Sequence, residues 1–302
     1  FITMPSNRQK IHNAYQHCLS ITQNHYENFP VASKLLNKQL RLPISAVYAF
    51  ARSADDFADE GNLNQLQRLD QLNEYIAELD AITKLLTQKA DSSDSFYYQS
   101  NNLIFIALAD TLYRYQIPVT LFYDLLSAFK QDVTTSRYKT FAEILDYCRL
   151  SANPVGRILL YLNKSATEEN LKLSDAICSA LQLINFYQDI AQDMDENNRL
   201  YLPLDEMQPL AITENTIRQR INNKQTQQLL VKQLQRTKKI YNSGKPLCRK
   251  LSGRFALEIR MIYTGGQIIL DKLEQNTTNI YLRPRLTSLD KFNIIRHGLF
   301  FS

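Results

Sequence analysis

Apolar residues recur at intervals of three or four positions along most of the chain, which is the period of an amphipathic α-helix. This pattern predicts helices over residues 44–60, 63–88, 103–113, 118–133, 140–162, 171–193, 213–242 and 245–275. Pro43 is expected near the start of the first helix, and Gly61 just after its end. Pro154 and Gly156 are expected to break or kink the helix that contains them. The chain is therefore predicted to be all-α.

Glycine and proline are scarce, with 7 and 9 among 302 residues, which disfavours sheets joined by many tight turns. The polar segment 90–102 is the clearest connection, and the segments on both sides of it are long enough to form packed helices. No repeat of fixed period is visible, which disfavours a helical-repeat binding module. No linker divides the chain either, and we predict a single domain over residues 1–302.

The net charge of +5 and the pI near 8.9 fit anionic ligands, a phosphate-bearing membrane surface or nucleic acid. No nucleic-acid motif accompanies this mild basicity, so no nucleic-acid partner is expected. The four cysteines lie far apart without metal-binding spacing and are expected to be free buried thiols in a reducing compartment. Residues 1–24 lack the apolar core of a signal peptide, and no apolar run is long enough to span a membrane. These features predict a cytoplasmic protein without a membrane-spanning helix.

Two aspartates, Asp55 and Asp59, are four residues apart and therefore lie one above the other on a helix. Like charges at this spacing repel unless a cation lies between them. Spacing alone is weak evidence, since Asp70, Glu74 and Glu78 repeat it on a helix face that we predict to be solvated. The residues around each set of carboxylates must therefore distinguish a metal site from a solvated acidic face.

Behind Asp55 and Asp59, the same helix face continues through Arg52 and Tyr48. The intervening residues are apolar and need burial: Ala46, Val47, Ala49, Phe50, Ala51 and Ala54. A polar stripe on a helix otherwise committed to the core indicates a lined cavity rather than solvent.

A second pair, Asp189 and Asp193, has the same spacing, and its face extends back through Asn185 and Gln182 within apolar surroundings. Amides and carboxylates in an apolar helix are costly unless they bind something. Two such helices facing each other would present four carboxylates and an amide, hard oxygen ligands that suit Mg²⁺. No Glu-x-x-His motif of a di-iron site occurs. Zinc is also disfavoured, because no histidine lies beside the aspartates; the histidines are His12, His17, His25 and His297.

The aromatic content, with 17 tyrosines, 14 phenylalanines and no tryptophan, supplies apolar walls for a cavity, although most of these rings are expected to be ordinary core. Carboxylate-held Mg²⁺ beside such walls suits a substrate with a diphosphate head and a hydrocarbon body. The expected chemistry is ionisation, in which Mg²⁺ neutralises the departing diphosphate and an allylic or cyclopropylcarbinyl cation remains.

Four segments resemble, in order, the squalene/phytoene synthase family, and the resemblance covers nearly the whole chain. They are HYENFPVAS, VYAFARSADDFADEG, YCRLSANPVGRILLYL and ALQLINFYQDIAQDMDENNRLYLP. The resemblance implies an isoprenoid-synthase-type helical bundle around a central cavity, a prenyl diphosphate substrate and roughly two or three Mg²⁺ ions. No nucleotide cofactor is expected, although the family's reductive members also lack a glycine-rich dinucleotide motif.

The resemblance also implies roles for individual residues. The implied Mg²⁺ and diphosphate ligands are Asp55, Asp59, Asn185, Asp189 and Asp193. Arg52 and Arg199 would contact the diphosphate, and Arg157 either adds a positive charge there or lies on the surface. The residues expected around the reacting centre, with Tyr48 and Tyr147 as catalytic candidates, are His25, Phe29, Tyr48, Tyr147 and Gln182.

Within the family, the segments most resemble the members that convert presqualene diphosphate to hydroxysqualene in bacterial hopanoid biosynthesis. Glu27 and Gln188 stand where members that make the cyclopropane often carry cations, which fits an enzyme handling one diphosphate. A partner synthase would then supply the presqualene diphosphate. The alternatives are head-to-head condensation to squalene, dehydrosqualene or phytoene, and a non-catalytic assembly factor.

The end of the chain, residues 283–302, differs in character from the rest. Ser288 is expected to cap a short helix that places Leu289, Phe292, Ile295 and Leu299 on one side. Four cations surround this helix: Arg283, Arg285, Lys291 and Arg296. Two alternatives remain open, a helix that docks on the core and a membrane-surface anchor.

Overall fold

The computed structural model describes residues 6–24, 38–89, 96–299 and 301. The chain is 78% helical, and no strand occurs in the described residues, which confirms the all-α prediction. The helices are α1 Asn7–Asn24, α2 Lys38–Asp59, α3 Gln65–Lys89, α4 Leu103–Tyr115, α5 Thr120–Thr134, α6 Phe141–Ser151, α7 Asn153–Leu162, α8 Glu168–Gln188, α9 Ile190–Asn197, α10 Leu204–Met207, α11 Glu214–Arg218, α12 Lys224–Gly244, α13 Leu247–Lys250, α14 Gly253–Gln275 and α15 Ser288–Leu299. None of the described helices is both long and apolar enough to cross a membrane.

The contacts divide the chain into two compact units. The first unit contains Phe1–Thr134 and Arg157–Ala166, and the second contains Thr135–Gly156 and Thr167–Ser302. The single domain over residues 1–302 and its central cavity stay predictions.

The core of the first unit centres on Phe50 of α2, which is fully buried. Its ring packs on Tyr75 of α3 at 5.5 Å, on Phe105 of α4 at 5.8 Å and on Phe122 of α5 at 5.3 Å between centroids. Edge-on and offset aromatic pairs of this kind contribute beyond the area they bury. They fix α2, and with it the polar face that carries Tyr48 and the residues following it.

In the second unit, α8 packs closely against α12 and α14, and two glycines allow this approach. A Cβ atom on Gly266 would lie 2.4 Å from both Leu181 Cδ2 and Tyr241 Oη. A Cβ atom on Gly244 would lie 2.8 Å from the carbonyl oxygen of Leu173. The close packing holds α8, which leads directly into the second aspartate pair.

The expected start of the first long helix is wrong, because α2 begins at Lys38 and Pro43 lies inside the helix. Proline removes one backbone donor, a loss that the helix tolerates best in its first turns. Leu40 is buried one turn before the buried Ile44, and this packing stabilises the additional turn.

Three other predicted helices are divided. The one over 171–193 breaks at Asp189, whose φ of −112° and ψ of 19° are not helical. The one over 213–242 is interrupted after Arg218, where Arg220 has a positive φ of 52°. The one over 245–275 is interrupted before Gly253, whose φ of 67° suits glycine. The predicted break near Pro154 is confirmed, since α6 ends at Ser151 and α7 begins at Asn153.

The four cysteines are free, as expected, and three of them are buried: Cys18, Cys148 and Cys248. Cys178 is half-buried rather than buried. Burial raises the pKa of the Cys148 thiol to about 12, so this thiol stays protonated and unreactive near neutral pH.

Candidate active site

In the first unit, α2 ends in the first aspartate motif, which we define as Asp55 and Asp59. Arg52 lies one turn earlier and gathers three carboxylates around its guanidinium. Its Nη2 atom lies 2.7 Å from Asp56 Oδ1 and 2.5 Å from Glu60 Oε1, and its Nη1 atom lies 3.7 Å from Asp55 Oδ2. Burial lowers the pKa of Arg52, but these carboxylates outweigh burial and raise it. Arg52 therefore stays charged and orders the acidic end of α2.

Tyr48 lies half-buried on the same face of α2, one turn before Arg52. Burial raises the pKa of its phenol, the charge of Arg52 opposes the rise, and Asp56 and Asp55 add to it. The phenol therefore keeps its proton at neutral pH and can donate a hydrogen bond. The side chain of Asp55 is 42% exposed, so its oxygens are accessible to a ligand.

The turn that follows the first aspartate motif is held by Arg68 of α3. The guanidinium donates to the carbonyl oxygens of Phe57 at 2.9 Å, Glu60 at 3.0 Å, Gly61 at 2.9 Å and Leu63 at 3.1 Å. The last carbonyls of a helix lack partners within the helix, so this side chain satisfies them. Sequence reasoning missed Arg68, because its partners are backbone atoms with no signature in the side chains.

Arg68→Ala is expected to lower the free energy of unfolding by about 2 kcal/mol, since hydrogen bonds from a charged donor contribute at this level. Turnover is expected to fall several-fold, because the end of the first aspartate motif loosens. Thermal unfolding and initial rates measure both effects. Arg149→Ala is the matched control, since Arg149 is 58% exposed and lies 3.9 Å from Asp146. Equal behaviour of the two variants would contradict the role given to Arg68.

The second unit carries the second aspartate motif, which we define as Asp189 and Asp193. Asp189 lies at the break between α8 and α9, and Asp193 lies in the first turn of α9. The hydrogen bonds continue across the break, from Asp189 N to Asn185 O at 3.0 Å and from Asp193 N to Asp189 O at 2.8 Å. The interval of one helical turn between the two aspartates is therefore kept although the helix is interrupted.

Burial and, to a smaller extent, the neighbouring Asp189 charge raise the pKa of the Asp193 carboxyl to about 7, although Arg199 and Arg283 oppose the rise. Two carboxylates close together in a half-buried place are favourable only with a positive charge beside them. The side chain of Arg199 supplies part of this charge, and its contact with a diphosphate stays a prediction.

Arg283 supplies the rest through a two-point contact with Asp189. Its Nη2 atom donates to Asp189 Oδ2 at 3.1 Å, and its Nε atom pairs with Asp189 Oδ1. Nearby, Gln188 Nε2 donates to the carbonyl oxygen of Pro284 at 2.5 Å. Arg283 was predicted only as one of the cations of the tail, and this contact could not be predicted, because 94 residues separate the partners.

An aromatic cluster forms around Phe186, which lies one helical turn before Asp189. Phe186 of α8 stacks on Tyr201 with centroids 3.7 Å apart, and Tyr138 stacks on the same ring at 5.6 Å. Tyr147 of α6 lies 5.8 Å from Tyr201 and 6.0 Å from Phe186. The predicted Tyr147 is thus one of four rings in this cluster, and the other three were not predicted.

The residues present fit a divalent cation that shares its ligands with a substrate. Among the described residues, no group of three or more His, Cys, Asp or Glu side chains forms a protein cage for a metal. Mg²⁺ is commonly held by one or two carboxylates together with phosphates and water. The pair Asp189 and Asp193, with one pKa raised and an arginine in contact, is a hard-oxygen donor set of this kind.

The family model described as squalene/phytoene synthase matches residues 22–292. The chain belongs to the squalene/phytoene synthase family. It is therefore a prenyl diphosphate-dependent synthase. Enzymes of this type generally use a divalent metal, in agreement with the donor set described above.

Relatives within the squalene/phytoene synthase family include two hydroxysqualene synthases. The one from Zymomonas mobilis subsp. mobilis is 38% identical over 62% of this chain and 58% of its own length, so the match spans under two thirds of that protein. The one from Rhodopseudomonas palustris is 32% identical over 85% of this chain and 84% of its own length. Among solved structures, the squalene synthase HpnC from Alicyclobacillus acidocaldarius has a TM-score of 0.78 at 29% identity, covering 91% of this chain and 97% of that one.

The predicted site residues of this family member fall into three groups. The first unit contains Tyr48, Arg52, Asp55, Asp59 and Arg157. The second unit contains Tyr147, Gln182, Asn185, Asp189, Asp193 and Arg199. His25, Glu27 and Phe29 lie outside the described residues. The structure places Asp55 beside Arg52, Asp189 beside Arg283, and Asp193 near Arg199 and Arg283. The meeting of the two motifs stays a prediction.

Proposed function

We propose that the enzyme converts presqualene diphosphate to hydroxysqualene and diphosphate, with Mg²⁺ bound by the two aspartate motifs. The observation that supports this proposal best is the half-buried pair Asp189 and Asp193 beside the aromatic cluster of Phe186 and its neighbouring tyrosines. A diphosphate bound through Mg²⁺ requires carboxylates such as this pair. A carbocation within a hydrocarbon requires apolar aromatic walls such as this cluster. Hydroxysqualene synthases among the relatives support the same reaction.

The proposed ligands of roughly two or three Mg²⁺ ions are the oxygens of Asp55, Asp59, Asn185, Asp189 and Asp193. Mg²⁺, when bound, neutralises the diphosphate as it leaves. Arg52 and Arg199 add positive charge to this end of the substrate. Arg52 keeps that charge because Asp56 and Glu60 hold its guanidinium at 2.7 and 2.5 Å.

In the proposed reaction, the bond between carbon and diphosphate oxygen breaks, and the electron pair leaves with the diphosphate. The cyclopropylcarbinyl cation rearranges against aromatic faces, which stabilise positive charge without reacting with it. Tyr147, Phe186 and Tyr201 provide such faces beside the second aspartate motif. Water then captures the cation at carbon, and the proton that it loses passes to the released diphosphate. The protonated phenol of Tyr48 is suited to hold this water, with Tyr147 and Glu27 as the alternatives.

Head-to-head condensation of two prenyl diphosphates is the second candidate function. A phytoene synthase from Mycobacterium tuberculosis is 32% identical over 67% of this chain and 62% of its own length, which keeps this candidate open. A non-catalytic assembly factor is disfavoured, because all four aspartates of the two motifs are present together with Arg52.

Product analysis decides between the two reactions. With Mg²⁺ and presqualene diphosphate, the purified enzyme is expected to release hydroxysqualene, identified by gas chromatography and mass spectrometry. The Asp189→Asn variant, prepared in parallel, is expected to release at least about a thousandfold less. A triterpene formed from farnesyl diphosphate alone would overturn the proposal in favour of condensation. An absence of product from either diphosphate would overturn both candidates.

We propose that the enzyme works in the cytoplasm at the inner face of the membrane, next to the enzyme that supplies presqualene diphosphate. A triterpene alcohol is insoluble in water and must pass into a bilayer. Neither a nucleotide cofactor nor nucleic acid enters the proposed reaction.

A further inference from the structure

Helix α15 docks on α14 through a side that the sequence analysis did not anticipate. Ile294 and Gly298 of α15 are buried. A Cβ atom on Gly298 would lie 2.7 Å from Met261 Cγ and 3.1 Å from Leu257 Cδ1. The helix therefore docks on the core, but through the side of Ile294 and Gly298.

The expected apolar side of α15 is exposed instead. The exposed fractions are 68% for Leu289, 63% for Phe292, 52% for Ile295 and 57% for Leu299. At 100° per residue, these four side chains lie within a sector of about 120° on the helix. Leu282, just upstream, is also 47% exposed. Large apolar side chains exposed together in this way mark an interaction surface.

The exposed face belongs to a fixed helix rather than to a loose tail. Thr287 and Asp290 cap its start, since Asp290 N donates to Thr287 Oγ1 at 3.2 Å and Thr287 N donates to Asp290 Oδ2 at 2.6 Å. Thr287, not Ser288, is therefore the capping residue. Lys272 of α14 pairs with Asp290 at 2.5 Å and donates to Arg285 O at 2.9 Å. These contacts hold the apolar face in a fixed orientation.

The charges beside this face are positive. Arg285, Lys291 and Arg296 are exposed, and none of them forms an ion pair with a residue that the structure describes. Asp290 is the acidic residue of α15, and Lys272 neutralises it. An apolar face accompanied by exposed cations matches the interface of a bilayer that contains anionic lipids.

We propose that α15 is a lipid-docking helix, with Leu289, Phe292, Ile295 and Leu299 entering the headgroup region of an anionic bilayer while Lys291 and Arg296 contact lipid phosphates. A second copy of the chain suits this face less well. A two-fold contact brings the same patch of both copies together, so Lys291 and Arg296 would meet like charges without an acid to pair them. This proposal depends on the surface alone and not on the reaction.

The absence of tryptophan from the chain allows a direct test. Phe292→Trp places a single indole on α15, and Leu66→Trp places one on a residue with a similar exposed fraction, 68% against 63%. Vesicles of phosphatidylcholine with one third phosphatidylglycerol are expected to shift the emission of Phe292→Trp to shorter wavelength and leave that of Leu66→Trp in place. Equal shifts in both variants, or no shift in either, would overturn the proposal.

Two double variants separate the apolar and the ionic contributions. Phe292→Ser with Ile295→Ser is expected to weaken flotation with the same vesicles at least tenfold. Lys291→Gln with Arg296→Gln is expected to weaken it several-fold and to remove most of its salt dependence. Equal flotation of all variants would overturn the proposal. So would a dimer, seen by light scattering, that the serine variant converts to monomers. These vesicle-binding measurements contain no substrate. Their outcomes therefore do not depend on whether the proposed reaction is correct.

Discussion

Asp55→Asn is expected to reduce turnover at least about a thousandfold while leaving the unfolding temperature close to that of the parent enzyme. The variant keeps the size of the side chain and removes the charge that a cation requires. The stability change is expected to be small, because the side chain is 42% exposed and lies 3.7 Å from Arg52, a distance typical of a weak surface pair. Arg52 also keeps its closer partners, Asp56 and Glu60.

Asp70→Asn is the matched control, since Asp70 and Glu74 repeat the same spacing at exposed positions of α3. Its turnover is expected to equal that of the parent. Mn²⁺ binding, followed by electron paramagnetic resonance in the presence of diphosphate, gives a readout independent of catalysis. Asp55→Asn is expected to bind the ion more weakly, and normal turnover or normal Mn²⁺ affinity in this variant would contradict the metal site.

Glu258→Gln is expected to raise the free energy of unfolding by about 2 kcal/mol at pH 8. Glu258 of α14 is 6% exposed, and its Oε2 atom has no hydrogen-bond partner among the described residues. Burial alone raises the pKa of this carboxyl to about 7 from an ordinary value of 4.5. The folded state therefore holds a proton that the unfolded state has lost, and folding becomes less favourable as pH rises from about 4.5 to 7. A neutral amide avoids the burial of this charge.

The pH dependence separates this effect from a change in packing. Urea unfolding at pH 8 is expected to show the full gain for Glu258→Gln, and the gain is expected to shrink as the pH falls toward 4.5. Glu74→Gln, at an exposed position, provides a control that is expected to show no gain at either pH. A constant gain for Glu258→Gln from pH 4.5 to pH 8 would show that ionisation is not its cause.

The helical period predicted most of the helices, because the buried positions that define them are local in sequence. Helix α3 begins and ends within two residues of its predicted bounds. The break at Asp189 could not be predicted in the same way, since residues 182–193 contain neither glycine nor proline. A single residue with a φ of −112° interrupts the helix while the hydrogen bonds on both sides continue.

The candidate site could be predicted where side chains share one helix face. The apolar neighbours Phe50 and Ala54 are fully buried and Asp70 and Glu74 are exposed, as predicted, while the metal-binding role of Asp55 stays a prediction. Glu78 was predicted to lie on the same solvated face, and this prediction is wrong, because Glu78 is half-buried. Its carboxylate accepts hydrogen bonds from Tyr98 at 2.6 Å and Ser100 at 2.9 Å.

Contacts between distant segments could not be predicted from spacing. Arg68 binds backbone carbonyls, which every sequence contains, and Arg283 meets Asp189 only because the chain folds back on itself. The two residues are ordinary surface cations by sequence pattern. Only the tertiary structure distinguishes them from the other arginines of the chain.

The pairing of Arg283 with Asp189 makes the end of the chain a poor place for deletion. Cutting before Arg283 would remove the exposed face of α15, but it would also leave the Asp189 carboxylate without its arginine. Any loss of activity in such a truncated enzyme would mix two causes, a missing surface and an altered charge beside the second aspartate motif. Substitutions confined to Phe292 and Ile295 leave this pair intact, and they allow lipid binding and turnover to be varied separately.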